Sequence, residues 1–362
     1  MPDGPALRVG SFDPSIARLK KRLSVTNDLT GQSKNSWKFD DDLNAAVIHF
    51  QSRHGLVADG VVGRMTRAAL NVSIGERVQQ IMANRARLQS SPATDGSRMI
   101  LINVAGFNLN VVEGGMVTFS SSVIVGRVSR PTPVLSSAVT KIIVNPYWRV
   151  PRRIAIEDIL PKLKRDPSYL SAQAIRVFKA SGSSLVEVAA NSVPWQALNE
   201  GNFPYTLVQE PGSLNSLGHV KFFLPNEQAI FVHDTPARGL FKRGLRAFSS
   251  GCIRVDKAVE LAEYLLKHDD EGSFHALAEA LQSGETRQIA LSRPVPIHII
   301  YLTAWADKYG HAHFRDDVYG LDSLVDAGPA QQREDHRDAA RAYEIASTPA
   351  CTTMPRPTGV LH

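Results

Sequence analysis

The chain has 362 residues, 43% hydrophobic and 21% charged, an ordinary balance for a globular protein and enough length for two domains. No apolar run reaches the ~18 residues of a membrane-spanning helix, and Met1–Pro5 lacks the charged region and apolar stretch of a signal peptide. The formal net charge is +6. No basic block or nucleic-acid motif accompanies it, so nucleic acid is excluded as a partner.

Residues 8–72 read as a small helical module. Ile16, Leu19 and Leu23 fall at helical spacing, and Leu43, Ala46, Val47 and Phe50 repeat at i, i+3, i+4 and i+7. Gly55 is a stop signal, Asp59-Gly60 and Gly63 are turns, and Thr66 opens a last short helix through Leu70. Residues 73–96 are predicted to be a connecting helix and linker. Its apolar positions are Ile74, Val78, Ile81 and Leu88, and it ends at Ser90-Ser91-Pro92.

From residue 97 to 305 the pattern becomes that of a mainly β domain. Ile100–Val104 and Phe107–Val112 are short and rich in β-branched residues, and Glu113-Gly114-Gly115 turns the chain into Met116–Gly126. Val139–Val144 follows, ended by Asn145-Pro146. Strands resume at Tyr205–Gln209, His219–Leu224, Ala229–His233 and Val295–Thr303, with an amphipathic helix over Val255–His268. Short strands between turn residues suggest a β-sandwich or a barrel-like sheet. Residues 151–200 interrupt them as a helical, lid-like insertion. The expected class is therefore α+β. Residues 306–362 form a C-terminal extension, polar after Gly328, with a helix predicted to about Ala346 and a loose tail.

The two cysteines, Cys252 and Cys351, make no disulfide framework, and Cys351 sits in a Thr- and Pro-rich tail. The densest chemistry lies in Phe231-Val-His-Asp-Thr-Pro236 and Ser249-Ser-Gly-Cys-Ile-Arg-Val255. A thiol near its ordinary pKa is only a few per cent thiolate at neutral pH, so a nucleophilic cysteine needs a base or a positive partner. His233 ends an apolar strand that would aim its ring. Cys252 follows Gly251 and precedes a helix predicted to begin near Asp256, whose N-terminus would favour thiolate. N–H groups around Gly251 and Cys252 are natural oxyanion donors. Each residue has a plainer reading. Cys252 alone is as consistent with a small buried hydrophobe, and His233 with a hydrogen-bonded strand end. Arg254 either binds a substrate carboxylate or pairs with Asp256. Ser249 and Ser250 either support the site or satisfy a turn. Asp234 either orients His233 or caps a turn.

Taken together, His233-Asp-Thr-Pro followed by Ser-Ser-Gly-Cys252-Ile-Arg-Val resembles the signature of YkuD-type L,D-transpeptidases, a histidine then Ser/Thr-X-Gly-Cys-X-Arg within about twenty residues. Asn145-Pro-Tyr-Trp-Arg-Val-Pro151, Gly212–Phe222, Leu224-Pro-Asn226 and Leu240-Phe241 resemble the larger YcbB-like branch of that family. Where many relatives carry a second histidine, this chain has Ser250. The run Val47, Phe50-Gln51, Gly55-Leu56, Asp59-Gly60, Gly63, Thr66 and Leu70 is similar to a peptidoglycan-binding-like three-helix module.

The resemblance implies a YkuD-like β-sandwich with Cys252 as nucleophile and His233 as general base and acid. Gly251, Ser250 and Ser249 would support the oxyanion site, and Arg254, Asp234, Trp148 and Tyr147 would contact substrate. It implies a tetrapeptide stem as acyl donor, a thioester intermediate and a 3→3 peptidoglycan cross-link. No cofactor is implied, because one amide is exchanged for another. No metal is implied either, and His311-Ala312-His313 is too little to make a site. Expected partners are peptidoglycan stem peptides and glycan, with carbapenems as covalent inhibitors. A membrane would be met only through an anchor not present in this sequence. The expected location is the bacterial periplasm or cell envelope. L,D-carboxypeptidase or cross-link hydrolase activity, attachment of a protein to the wall, and a wall-binding protein with a structural Cys252 remain alternatives.

Overall fold

The computed structural model describes residues 1–31, 37–89, 96–307 and 309–323. Cys351, Ser90–Pro92 and the helix expected before Ala346 lie outside the described residues.

The N-terminal module is built from α1 (Ser15–Val25), α2 (Asp41–Arg53) and α3 (Arg64–Asn71). Its core is the set read from spacing: Ile16, Leu19 and Leu23 of α1 meet Leu43, Val47 and Phe50 of α2. The Asp40 carboxylate caps α2 by accepting from the Leu43 N–H at 3.0 Å. Gly55, at φ +65°, turns the chain away after it.

Helix α4 (Ile74–Gln89) corrects one expectation. Its apolar residues face outward: Ile74 is 72% exposed, and Val78, Ile81 and Leu88 are close to half. The buried side is Ala83 and Asn84. A small residue and an amide let α4 approach the β-rich domain closely. There Asn84 Nδ2 donates to Thr303 Oγ1 at 2.7 Å, and Thr303 N–H donates back to Asn84 Oδ1 at 2.8 Å.

The β-rich domain opens with β1 (Met99–Asn103), β2 (Asn108–Glu113), β3 (Met116–Gly126) and β4 (Leu135–Val144). Gly114 and Gly115 both have positive φ, at +58° and +77°, the requirement of a tight hairpin turn between β2 and β3. The insertion then contributes β5 (Trp148–Arg149), α5 (Arg152–Ile154), a π-helical turn over Ala155–Ile159, α6 (Leu160–Arg165), α7 (Tyr169–Ala172), β6 (Ile175–Ser181), β7 (Ser184–Val188) and β8 (Tyr205–Gln209). It is not merely helical. Strands β5-β8-β6-β7 form a four-stranded sheet of their own, over a separate core that includes Leu163, Val177, Trp195, Phe203 and Leu207. The period-two burial of Ile175 and Val177 marks β6, and Gly182 at φ +59° lets it turn into β7.

The chain returns to the main sheet with β9 (Val220–Phe223), β10 (Val232–His233), β11 (Ala247–Ser249) and β12 (Ile253–Val255). Helices α8 (Ala258–Lys267) and α9 (Glu271–Ser283), the long strand β13 (Arg287–Ile300) and a hairpin of β14 (Ala304–Ala306) and β15 (Ala312–Phe314) complete it. The nine strands run β11-β3-β12-β10-β9-β4-β13-β1-β2, and β2 pairs back with β3. The two layers of the sandwich are thus halves of one sheet that closes on itself. The pairs β1–β13, β10–β12 and β11–β3 are parallel and the others antiparallel. Leu261, Ala262, Leu265 and Leu266 of α8 and Leu277 of α9 join the sheet's core.

The C-terminal hairpin clamps the module to this domain. Gln80 Nε2 donates to the carbonyls of Thr303 and Arg315 at 3.2 and 2.8 Å, and Arg315 Nη1 donates to the Arg53 carbonyl at 2.8 Å. His54 stacks between Phe50 and Phe314, with ring centroids 3.8 and 5.5 Å away. Asn84 and Thr303 are 1% and 0% exposed, so removing the Asn84 amide leaves the buried Thr303 N–H without its acceptor, while Thr303 Oγ1 keeps the Asp322 carboxylate. Asn84→Ala is expected to lower unfolding free energy by about 1–3 kcal/mol, read from urea denaturation; a variant with wild-type stability would refute the clamp.

Candidate active site

Three short strands lie side by side here. In register, Lys221 of β9 faces His233 of β10, which faces Arg254 of β12. Side chains alternate along a strand and match across a pair, so these three share one face with Phe231, Phe223 and Cys252. On the opposite face Val220, Phe222, Val232, Ile253 and Val255 are each fully buried in the core. The strands' apolar alternation therefore sets the chemistry on the side away from the core.

His233 is 5% exposed. Its Nδ1 lies 2.5 Å from the Asp234 backbone carbonyl. A carbonyl only accepts, so Nδ1 carries the proton and Nε2 keeps a free lone pair. Burial pushes the ring's pKa from 6.5 down to about 3, Arg254 and Lys221 add to the fall, and the Asp234 carbonyl opposes it. The ring is neutral at neutral pH. Cys252 is half-buried. Burial raises its pKa, against the pull of a backbone hydrogen bond from Phe231 and the charges of Lys221 and Arg254. The resting pair is a thiol and a neutral imidazole, and among the described residues no hydrogen bond joins them.

The Cys252 turn corrects two expectations. No helix begins beside the cysteine: β12 follows it directly, and α8 starts only at Ala258. The β-branched Ile253 and Val255 are drawn into the sheet, where Val255 pairs with Val123. Nor is the Gly251 N–H available to an oxyanion, because it donates to Ser249 Oγ at 3.2 Å. Ser249 Oγ in turn donates to the Cys252 carbonyl at 2.5 Å, so this serine closes the turn. Gly251, at φ +114°, takes a conformation that other residues avoid. The Cys252 N–H makes no hydrogen bond among the described residues. Ser250 Oγ accepts from Arg130 Nη1 at 2.8 Å.

Of the four expected substrate contacts, Asp234 is overturned. It is 1% exposed, and its carboxylate accepts from the His219 N–H at 2.8 Å and from Arg238 Nη2 at 2.5 Å. It fixes the loop after β10, and only its backbone serves His233. Trp148 packs on the insertion's core, while Tyr147 is 48% exposed. Arg254 is placed beside Cys252, and its buried Nε–H has no acceptor among the described residues, an unmet donor that a carboxylate would satisfy.

Lys221, Arg130 and Thr132 were not singled out by the sequence. Lys221 reads as the solvent side of an amphipathic strand, and only its register with His233 gives it meaning. Arg130 and Thr132 lie in a turn far along the chain from Cys252, with no local pattern.

The depressed His233 pKa fixes a sign. The unfolded chain binds a proton below pH 6.5 that the folded ring takes only near pH 3, so this contribution to stability is full above 6.5 and is lost as pH falls through that window. His233→Gln should lose less stability than wild type between pH 7 and pH 4 in urea titrations; equal losses would mean that the folded ring accepts the proton.

Comparison with known proteins places the chain in a family. Residues 97–295 match the family model YkuD, "L,D-transpeptidase catalytic domain", and residues 13–70 match PG_binding_1, "Putative peptidoglycan binding domain". A Haemophilus influenzae protein described as "Putative L,D-transpeptidase" is 36% identical over 249 residues, 68% of this chain and 49% of its own length. The chain thus spans about half the length of that relative. Among solved structures, an L,D-transpeptidase from Xylanimonas cellulosilytica overlays at 16% identity and a TM-score of 0.25, covering 83% of this chain and 100% of the other. One from Stackebrandtia nassauensis overlays at 11% and 0.30, covering 81% and 94%. These scores are too low to carry a residue correspondence. On the family match, which spans the closed sheet and the Cys252 turn, this chain belongs to the YkuD family of L,D-transpeptidase catalytic domains.

Proposed function

We propose that this protein exchanges one amide bond for another in peptidoglycan, with Cys252 as nucleophile, and that its product is the 3→3 cross-link between stem peptides. The observation that carries the reading is the in-register row Lys221–His233–Arg254, with Cys252 on the same face and the His233 Nε2 lone pair free. The donor is a tetrapeptide stem. Cys252 Sγ attacks the carbonyl of its third residue while His233 Nε2 takes the thiol proton. The Cys252 N–H, the donor the turn leaves open, receives the oxyanion.

The imidazolium so formed sits between two cations, Lys221 and Arg254, in a buried place. It is therefore a strong acid, and it readily gives its proton to the departing D-Ala amine. A thioester remains on Cys252. The acceptor's side-chain amine attacks it, losing a proton to Nε2, and the thiolate leaves and is reprotonated by the ring. Every bond broken is replaced by one formed, so no external energy source is required. Arg254, with its unmet Nε–H, is assigned to a carboxylate of the stem, and the exposed Tyr147 to the substrate path.

The N-terminal module is assigned to docking on the wall, which its family match supports. The corresponding location is the bacterial periplasm or cell envelope, where the substrate resides. We place the chain in the YcbB-like branch on the motifs that carry that likeness.

Intact-protein mass after mixing with a carbapenem tests the nucleophile. Wild type should gain one drug-sized adduct, Cys252→Ala none, and His233→Ala should react about 10²–10⁴-fold more slowly. An adduct that survives Cys252→Ala would remove the cysteine from the mechanism. Product analysis with tetrapeptide muropeptides should then show cross-linked dimers; free tripeptide as the sole product would instead mark a hydrolase.

A further inference from the structure

The loop between β3 and β4 is tied to the Cys252 turn at three points. The Arg127 N–H donates to the Ser249 carbonyl at 2.9 Å, Thr132 Oγ1 to the Gly251 carbonyl at 2.7 Å, and Arg130 Nη1 to the Ser250 hydroxyl at 2.8 Å. Arg130 is 4% exposed. Its other bonds all go to the insertion: Nη1 donates to Asp158 Oδ2 at 2.5 Å, and Nη2 to Asp158 Oδ1 at 3.3 Å and to Glu157. Arg127 Nη2 adds a bond to Asp158 at 3.2 Å. One buried guanidinium therefore joins the insertion to the turn that carries Cys252.

Two further features mark this joint. Glu157 and Asp158 lie in the π-helical turn Ala155–Ile159, whose wider winding brings both acids to one guanidinium; such turns recur at functional sites. The loop also has little room to relax. A Cβ at Gly126 would fall 2.2 Å from the Arg130 carbonyl oxygen.

We propose that Arg130 is a positioning residue that couples the seating of the insertion to the aim of the nucleophile turn. It rests on the reading of Cys252 as nucleophile. With Glu157 and Asp158 in place, the guanidinium stays buried and holds Ser250, and the Cys252 N–H points at the reacting carbonyl. Without them a buried cation lacks its counter-charges, moves toward water, and releases Ser250. The insertion's seating is in this way relayed to the donor that stabilises the oxyanion, with no residue of the insertion touching the reacting atoms.

The test uses the whole chain and a carbapenem as acyl donor. Three quantities are read separately: the first-order acylation rate at saturating drug, the apparent dissociation constant of the first complex, and the rate of Cys252 alkylation by iodoacetamide. Iodoacetamide reacts by displacement and forms no oxyanion, so it reports access to the thiol and its ionisation without the oxyanion step. The main variant is Glu157→Gln with Asp158→Asn, whose side chains are partly exposed; Arg130→Met and Arg130→Lys are the second pair, and the acid variant decides if these do not fold. The acylation rate should fall about tenfold to a hundredfold, with alkylation within about threefold of wild type. Arg130→Lys should recover little of the loss, because an ammonium cannot hold both partners as the guanidinium fork does. A folded variant that acylates like wild type overturns the coupling, and so does a parallel fall in alkylation. A wild type that takes no drug while its thiol alkylates normally refutes the nucleophile reading itself, and the coupling with it.

Discussion

The register between β9, β10 and β12 is the constraint on which the site depends. These strands are only four, two and three residues long, and a slip of one residue would send every side chain to the opposite face. Their core-facing residues, Phe222, Val232 and Ile253 among them, are fully buried. Burying that set fixes which way His233, Cys252 and Arg254 point. The geometry of the reactive face is thus secured by apolar residues that take no part in the chemistry.

The same alternation explains what was legible beforehand. The module's helices were readable because Leu43, Ala46, Val47 and Phe50 follow the helical period and are buried as that period requires. Cys252 and His233 could be singled out because a short motif holds both. The polarity of α4 was not, since Asn84 is turned inward by a partner over two hundred residues away, Thr303. Of the insertion's sheet only β8 was read; β6 and β7 were missed because one end of β6 and nearly all of β7 are exposed, and the supports of the turn because they meet it only in three dimensions. Arg130 and Ser250 are 120 positions apart, and no local period records such a contact.

The fold is also closed at its ends. The sheet leaves no gap between β2 and β3, and the strand that follows the helices, β13, runs between β4 and β1 to deliver the C-terminal hairpin to the module. Arg87 of α4 then pairs with Asp322 at 2.6 Å, and Thr303 Oγ1 donates to the same carboxylate at 2.7 Å. Chain segments from both ends converge on one seam, so the module's position relative to the catalytic sheet is set by side-chain contacts and not by the linker alone.

The uncharged resting state of Cys252 and His233 has a consequence outside the reaction. A thiolate attacks peroxides and disulfides far faster than a thiol does. A cysteine whose burial favours the protonated form is therefore slow to become sulfenic acid or a mixed disulfide. The burial that delays ionisation also lengthens the chemical life of the sulfur to which we assign the nucleophile's role.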